Sequence, residues 1–438
     1  MDWITTISLM FGGVIFFLLL GVPIAFSFLT VNLIGGFLIL GGELGLLQTI
    51  RNMQTAVAQY SLAPIVLFVF MGEVMLYTGI AARAINAIDQ MFTKVPGRLS
   101  MIAIVGGAVF SSLSGSTIAN TAVLGKTLLP QMKERGYSPS ISMGPIMAIG
   151  GIAMLIPPSG LAVLLASLAQ VSINHVLIAG IIPATLMVIL FFAYIIIRCL
   201  INPSLAPSYE VEQQPLQERI KPFLIYVAPL ILIFIAVVGS MIMGIATPTE
   251  SAALGSIASL TIAAVYRALT IHNIVESIKG TLKFSAMILF VICTAATFSQ
   301  ILAFSGATAT ISQLVTSMEI APFLILLAML LLLLILGCFM DQISMMMLTL
   351  PVFMPIIRAA GFDDVWFIVL MLVVLEISLT TPPLGLLIFV MQSVAPKSIT
   401  LRQIYASVTP FIIMELVVLG LMVIFPLIAL WLPQVLLN

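Results

Sequence analysis

The chain has 438 residues, of which 62% are hydrophobic and only 7% are charged, against about 45–50% and about 25% in an average soluble domain. Because no water-soluble fold of this size can bury so much apolar surface, the composition indicates an integral membrane protein. The formal net charge is +0, which excludes a basic face for nucleic acid, and two histidines with three scattered cysteines leave little from which to build a zinc or iron centre.

Apolar segments long enough to cross about 30 Å of hydrocarbon recur along the whole chain. In chain order they are 4–20, 23–42, 60–79, 139–170, 176–197, 223–246, 248–266, 284–305, 365–395 and 404–432. Two further apolar regions, 99–132 and 323–357, are too long for one crossing and are interrupted near their middles. The polar stretch 202–222 is typical of a solvated linker. The pattern predicts about ten transmembrane helices, two re-entrant hairpins and a linker between two halves.

The second half of the chain repeats the first. At a shift of 225 residues the positions that fix backbone shape coincide: Pro130 falls on Pro355, Gly136 on Gly361, and Pro157-Pro158 on Pro382-Pro383. An internal duplication follows, with a first repeat at 1–201 and a second at 223–438.

The basic residues indicate that the two repeats are inverted. Segments 83–98 and 126–136 each carry three basic residues and one acid, whereas their counterparts in the second half are acidic. The bias reverses at 170–176, which has no basic residue, whereas the partner segment in the second half has Lys397 and Arg402. By the positive-inside rule, equivalent loops lie on opposite faces of the membrane. The first hairpin then enters the membrane from the cytoplasm and the second enters from outside. The N-terminus lies outside.

Symmetric positions in the two repeats carry residues that interrupt helices. The first has a Ser- and Gly-rich hairpin tip at 111–117 and Ile156-Pro-Pro-Ser159 in the next segment; the second has Gly337 to Asp341 and Ser378 to Pro383. Irregular backbone at membrane depth is tolerated only where protein or a water-filled cavity satisfies it. Freed carbonyls and hydroxyls suit a small hard cation, and the N-termini of half-helices suit an anion, a pattern typical of secondary transporters. Single Gly and Pro residues elsewhere are better explained by helix packing.

The motifs resemble a known family. Four segments are similar to the DctM-type large membrane subunit of tripartite ATP-independent periplasmic (TRAP) transporters. They are Phe110-Ser-Ser-Leu-Ser-Gly-Ser-Thr-Ile-Ala-Asn120, Leu155-Ile-Pro-Pro-Ser159, Thr247-Pro-Thr-Glu-Ser-Ala-Ala253 and Thr380-Thr-Pro-Pro-Leu-Gly385. The resemblance implies an all-α, multi-pass protein of the bacterial inner membrane that imports an organic acid anion with sodium by an elevator mechanism. The anion would be a C4-dicarboxylate, a keto or hydroxy acid, or sialic acid. Expected partners are a small four-helix membrane subunit and a soluble periplasmic substrate-binding protein; no organic cofactor and no enzymatic activity are implied.

The same resemblance assigns candidate ligands. The first sodium site corresponds to Ser111, Ser114, Ala153, Ile156 and Pro158, and the second to Gly337, Ser378, Thr381 and Leu384. Ala153 and Ser378 stand where relatives often have Gly. The polar groups at the two hairpin tips suggest a substrate site between them, formed by Ser116, Thr117, Asn120, Asp341, Gln342 and Ser344.

Some roles stay open at this level. Asp341 either binds substrate or caps a half-helix, and Glu376 either serves the second ion site or makes a buried structural hydrogen bond. The moving transport domain is predicted at 99–170 plus 323–395, with the remaining helices as scaffold. A stand-alone ion-coupled anion symporter that needs no binding protein is the alternative function. A channel or an intramembrane enzyme is disfavoured, the latter because no Ser/His/Asp or HExxH arrangement is present.

Overall fold

The structure is a computed structural model that describes residues 3–91, 95–114, 117–207, 215–317, 320–338, 340–382 and 385–437. The side chains of residues 112–114, 216–217, 312 and 314–316 are also outside the description. Throughout the described ranges the regular elements are helices, which confirms the all-α prediction.

The first repeat contains eleven α-helices. They are α1 (Trp3–Leu19), α2 (Ile24–Ile39), α3 (Glu43–Val57), α4 (Ala63–Tyr77), α5 (Ile80–Met91), α6 (Arg98–Ser114), α7 (Thr117–Glu134), α8 (Pro139–Ile152), α9 (Gly160–Ala169), α10 (Ile173–Ala179) and α11 (Ile181–Ile201). Short 3₁₀ turns at Tyr60–Leu62 and Pro203–Leu205 precede α4 and follow α11.

The second repeat follows with a corresponding order. Its helices are α12 (Leu216–Tyr226), α13 (Ala228–Ile242), α14 (Pro248–Val265), α15 (Ile271–Phe304), α16 (Ala307–Ser317), α17 (Pro322–Gly337), α18 (Gln342–Ala359), α19 (Asp364–Thr380), α20 (Leu386–Val394), α21 (Leu401–Ile424) and α22 (Leu427–Leu436). The helix pairs α6–α7 and α17–α18 are the two predicted hairpins, and α8/α9 and α19/α20 are the two broken helices.

One difference between the repeats is large. The first has two helices, α3 and α4, separated by the 3₁₀ turn at Tyr60–Leu62. At the equivalent place the second has the single helix α15, which runs without interruption for 34 residues.

Three helices, α3, α5 and α16, lie where the sequence suggested loops. The buried positions of α3 are Gly45, Thr49, Asn52 and Ala56, which follow a helical spacing but are small or polar and therefore give no apolar periodicity. Helix α5 is amphipathic and short, with 12 residues, and so resembled a charged connection. Helix α12 begins at Leu216, inside the predicted linker.

Six helices of the described chain are long and apolar enough to cross a membrane. They are Tyr60–Tyr77, Ile173–Ile201, Glu218–Ile242, Ile271–Phe304, Gln342–Ala359 and Leu401–Ile424. The first includes the 3₁₀ turn before α4, the second joins α10 to α11, and the third joins α12 to α13. Shorter apolar helices, α1 and α2 among them, account for other predicted segments. The full count of ten crossings stays a prediction, because several of these segments are half-helices or fall below that length.

The two broken helices occupy the centre of the molecule. Every residue from Trp366 to Thr380 of α19 is buried, as is every residue from Ile141 to Ile152 of α8. A helix buried on all sides is apolar all round, which explains why neither segment has an amphipathic pattern.

The two repeats interlock around this centre. An added β-carbon on Gly125 of α7 would lie 2.6 Å from the Val394 side chain of α20. Arg358 at the end of α18 donates to the carbonyl of Ala169 at the end of α9, at 3.1 Å. Each hairpin thus contacts the second half of the broken helix that belongs to the other repeat.

Helices α8 and α21 approach each other at a glycine, and this contact is testable. A β-carbon on Gly144 would overlap the carbonyl oxygen of Ser407, so we expect Gly144→Ala to destabilise the protein by about 1–3 kcal/mol through overpacking. The measurement is the melting temperature of the detergent-purified protein. Gly420→Ala, on α21 with nothing within 4 Å of the added carbon, is the control and should leave the melting temperature unchanged or slightly raised. Equal melting temperatures for the two variants would contradict the close approach.

Candidate functional site

A polar junction ties the first hairpin to the end of α8. Asn120 of α7 donates through Nδ2 to the carbonyls of Gly107 and Ile149, at 3.3 and 3.5 Å, and to the hydroxyl of Ser111. Ser111, near the end of α6, donates to the same Ile149 carbonyl at 3.4 Å. Ser111 and Asn120 are fully buried. Both arms of the hairpin are therefore fixed to the last turn of α8.

The helix ends immediately beyond this junction. The backbone N–H groups of Met154 and Leu155 bond back to Gly151 and Ile152, at 3.2 and 2.9 Å, and close a turn. Ser159 then caps α9 by accepting from the N–H of Ala162 at 3.2 Å.

The predicted carbonyl ligands of the first ion site lie in this break. Among the described residues, the carbonyl oxygens of Ala153, Ile156 and Pro158 accept no backbone hydrogen bond. These carbonyl oxygens are therefore available to coordinate a ligand. The surroundings are buried, since Ala153 is only 1% exposed.

The second hairpin meets the second broken helix in the equivalent way. A β-carbon on Gly337, the last residue of α17, would overlap Cβ of Ser378 and lie 2.6 Å from its hydroxyl oxygen. The hydroxyls of Ser378 and Thr381 donate to the carbonyls of Leu375 and Ile377, each at 2.7 Å. Helix α19 ends at Thr380, and Thr381 is extended. Only a residue without a side chain fits at position 337 while Ser378 occupies the facing position.

The two junctions are linked through the second hairpin. Gln342, the first residue of α18, donates through Nε2 to the sulfur of Met154 at 3.2 Å. Met154 belongs to the break of the first repeat. The start of one hairpin arm therefore contacts the interrupted helix of the other repeat at the centre of the molecule.

A cavity of about 680 Å³ opens at the tip of the second hairpin. Asp341, Ile343 and Ser344 line one wall, and the start of α2 with residues 286–291 of α15 line the other. We refer to it as the tip cavity. A smaller cavity of about 270 Å³ lies between α3, α9, α15 and α18, beside Arg358.

Asp341 caps α18. Its carboxylate accepts from the backbone N–H groups of Ile343 and Ser344, both at 3.1 Å, and from the Ser344 hydroxyl. The capping role foreseen as an alternative is therefore present in the structure. Ser344 is buried and Asp341 is exposed. Their predicted part in substrate binding stays a prediction.

The other predicted residues fall into three groups. The structure places Ser111 against the end of α8, and Ala153, Ile156 and Pro158 follow in the break. It places Gly337 against Ser378, three residues before Thr381. Thr117 and Asn120 are buried within the first hairpin and do not line the tip cavity. Ser116 and Leu384 lie outside the described residues, as does the side chain of Ser114.

Sequence reasoning missed one contributor, the Ile149 carbonyl, and one contact of Glu376, a residue that it had named. The Ile149 carbonyl accepts from both arms of the first hairpin, and a backbone group leaves no trace in residue type. Glu376 lies directly against Gly151, where an added β-carbon would be 3.0 Å from Oε1. The Gly150-Gly151 pair was the available signal, because adjacent glycines in a buried helix indicate close approach of other groups.

The donor set is compatible with a small hard cation. Hydroxyls and unoccupied carbonyls at the ends of interrupted helices are the groups that coordinate sodium in secondary transporters. In addition, Oδ1 of the fully buried Asn120 has no hydrogen-bond partner among the described residues. The described chain contains no group of three or more His, Cys, Asp or Glu residues that would hold a metal ion, so a thiolate or imidazole centre is not formed there.

Comparison with known proteins gives matches along almost the whole chain. Residues 11–428 match the family described as the tripartite ATP-independent periplasmic transporter, DctM component. A putative TRAP transporter large permease protein of Haemophilus influenzae is 30% identical over 377 residues, which cover 86% of this chain and 92% of that protein. The sialic acid TRAP transporter large permease protein SiaM of Vibrio cholerae is 28% identical over 419 residues, 95% of this chain and 96% of that one.

A solved structure shares the fold at low sequence identity. The YdaH transporter of Alcanivorax borkumensis aligns with a TM-score of 0.63 at 13% identity, over 94% of this chain and 97% of that chain. Because identity is so low, this likeness concerns the fold alone.

The contact between Gly337 and Ser378 can be tested with a reciprocal exchange. Gly337→Ala alone forces its new methyl group into the Ser378 side chain, so we expect a loss of stability of about 1–3 kcal/mol. Adding Ser378→Gly removes the obstructing atoms and should restore most of that loss, a coupling of about 1 kcal/mol or more in a double-mutant cycle. The melting temperatures of the wild type, both single variants and the double variant provide the cycle. Strictly additive effects would show that residues 337 and 378 are not in contact.

Proposed function

The chain belongs to the DctM component family of tripartite ATP-independent periplasmic transporters, and from that premise we propose that it imports an organic acid anion in symport with sodium. As a large permease subunit it is a transport protein. The cargo class, the coupling ion and the moving parts belong to the proposal.

The observation that carries the proposal is the meeting of each hairpin with an interrupted helix, together with a cavity at the tip of the second hairpin. Each junction offers oxygen ligands in dry surroundings, and the tip cavity of about 680 Å³ falls within the range of small-molecule sites. The cavity contacts the start of α18 through Asp341, Ile343 and Ser344. Sodium ions at the junctions would fix the hairpin tips and thereby complete the anion site.

Alternating access is proposed to come from sliding of residues 99–170 plus 323–395 against the remaining helices. The tip cavity supports this division, because one wall belongs to the second hairpin and the other to α2 and α15. A substrate bound there would contact both parts, and coupling would follow from different affinities in the two end states.

The proposed partners are a small four-helix membrane subunit and a soluble periplasmic substrate-binding protein, with the complex in the bacterial inner membrane. Large apolar side chains are exposed on the proposed scaffold, including Leu19 of α1 and Leu232 of α13, at 83% and 64%. Lipid or a membrane partner would cover them. The binding protein would deliver the anion and contribute much of the selectivity.

The decisive experiment is uptake into proteoliposomes that contain this chain and its small subunit. We expect labelled organic acid to accumulate only with an inward sodium gradient and only when the binding protein is present. A potassium gradient is the ionic control. Equal uptake of free substrate without the binding protein would favour the stand-alone symporter, and sodium-independent uptake would refute the coupling.

Thr381 allows a sharper test of the second ion site. Thr381→Val removes one hydroxyl oxygen at nearly constant volume, so we expect the sodium concentration for half-maximal uptake to rise at least about tenfold, the effect of one lost hydrogen bond to a charge. Thr409→Val is the matched control, because Thr409 makes the same bond to the carbonyl four residues earlier, at 2.8 Å, on an exposed surface. Unchanged sodium dependence in Thr381→Val would exclude its hydroxyl as a ligand.

A further inference from the structure

Two carboxylates are buried in the centre of the membrane-embedded core. Glu376 of α19 and Glu415 of α21 are each 1% exposed. Both carboxylate oxygens of Glu376, and Oε2 of Glu415, have no hydrogen-bond partner in the part of the chain that the structure describes. A buried carboxylate without compensation is strongly unfavourable. Each carboxyl must therefore either carry a proton or face a positive charge, and the described part of the polypeptide supplies no such charge beside them.

Among the described residues, no basic side chain forms an ion pair with either carboxylate. Within the described ranges the ion pairs are Arg98–Asp89, Lys279–Glu276 and Arg358–Asp364. None involves Glu376 or Glu415. The C-terminal ends of α8 and α19 lie close by and add negative partial charge to the same region. The local field accordingly favours cations.

Glu376 is close in sequence to one proposed ion site and packs against the helix that leads into the other. Cγ of Glu376 is 2.7 Å from where a β-carbon on Gly151 would stand. Gly151 is two residues before Ala153 of the first site, and Glu376 is two residues before Ser378 of the second. One carboxylate thus lies next to both interrupted helices.

Glu415 occupies the same level of the core. Gly144, two turns before Gly151, packs against the ring of Phe411, one turn before Glu415. Glu415 is also close enough to Glu376 for two carboxylates there to repel each other. The two acids therefore form one pair at the contact of α8, α19 and α21.

The charges balance if the pair serves both sites. All nine residues assigned to the ion sites would contribute neutral carbonyl or hydroxyl oxygens, so two sodium ions would bring two uncompensated positive charges into a dry core. We infer that Glu376 and Glu415 are the counter-charges of the two sodium sites and act through the field rather than as ligands. They are positioning residues for coupling, and the inference rests on the proposed function.

The test is direct sodium binding to the purified full-length chain in the absence of substrate. Binding is followed with radioactive sodium and with sodium-dependent thermal stabilisation, potassium serving as the control ion. A unit charge about 10 Å away, at an effective dielectric constant of about 20, corresponds to roughly tenfold in a binding constant. We therefore expect Glu376→Gln and Glu415→Gln each to raise the half-saturating sodium concentration about tenfold or more, and the double variant to raise it further.

Two further sets of variants separate charge from structure. Glu376→Asp and Glu415→Asp keep the charge, so they should bind sodium more tightly than the corresponding Gln variants even where the shorter side chain lowers the sodium-free melting temperature. Glu250→Gln makes the same charge change on the exposed capping carboxylate of α14, and it should leave sodium binding unchanged.

The outcomes distinguish this inference from the function on which it rests. If the wild type binds sodium and the Gln variants bind it with the same half-saturation, the pair is a neutral structural element and the inference is wrong while sodium symport stands. If Asp and Gln variants weaken sodium binding equally, charge is not responsible, and the inference is again wrong. A wild type that does not bind sodium refutes the proposed function and this inference together.

Discussion

The structure depends on one constraint: a helix that is interrupted inside a membrane must have its free backbone groups satisfied by protein. This protein interrupts two helices, α8 and α19, and buries both on every side. The hairpins supply the cover. Asn120 and Ser111 bond to the last turn of α8, and Gly337 lies directly against Ser378 of α19. The two helix breaks are therefore buried by the packing of the two hairpins against them.

Much of the architecture was predictable because proline and glycine report backbone shape directly. Pro157-Pro158 and Pro382-Pro383 marked the interrupted helices, and the shift that aligns them also identified the hairpins and the repeat. Helix α3 was not predictable, since its buried face is formed by Gly45, Thr49, Asn52 and Ala56, which carry no hydropathic signal. Its burial is decided by the neighbour it packs against, and a single sequence does not name that neighbour.

The candidate site was predictable to a similar depth. Residue types located both junctions, because serine, threonine and glycine beside a double proline restrict what the backbone can do. They did not reveal partnerships made through carbonyls, such as those of Ile149, or between side chains far apart in sequence. Gln342 and Met154 are separated by 188 positions. Asp341 illustrates the limit well, since its residue type suits both a cap and a binding group, and only the geometry identified the cap.

The unequal construction of the repeats has a consequence for energetics. Helix α15 is continuous for 34 residues, about 50 Å at 1.5 Å per residue, whereas its counterpart in the first repeat is divided at Tyr60–Leu62. Two identical inverted halves that exchange conformations would give inward- and outward-facing states of equal free energy, related by symmetry. A continuous helix in one repeat and an interrupted pair of helices in the other would remove that equality of free energy. In the proposed transport cycle the empty protein would then favour one of its two end states, and the 3₁₀ turn at Tyr60–Leu62 is one element of that asymmetry.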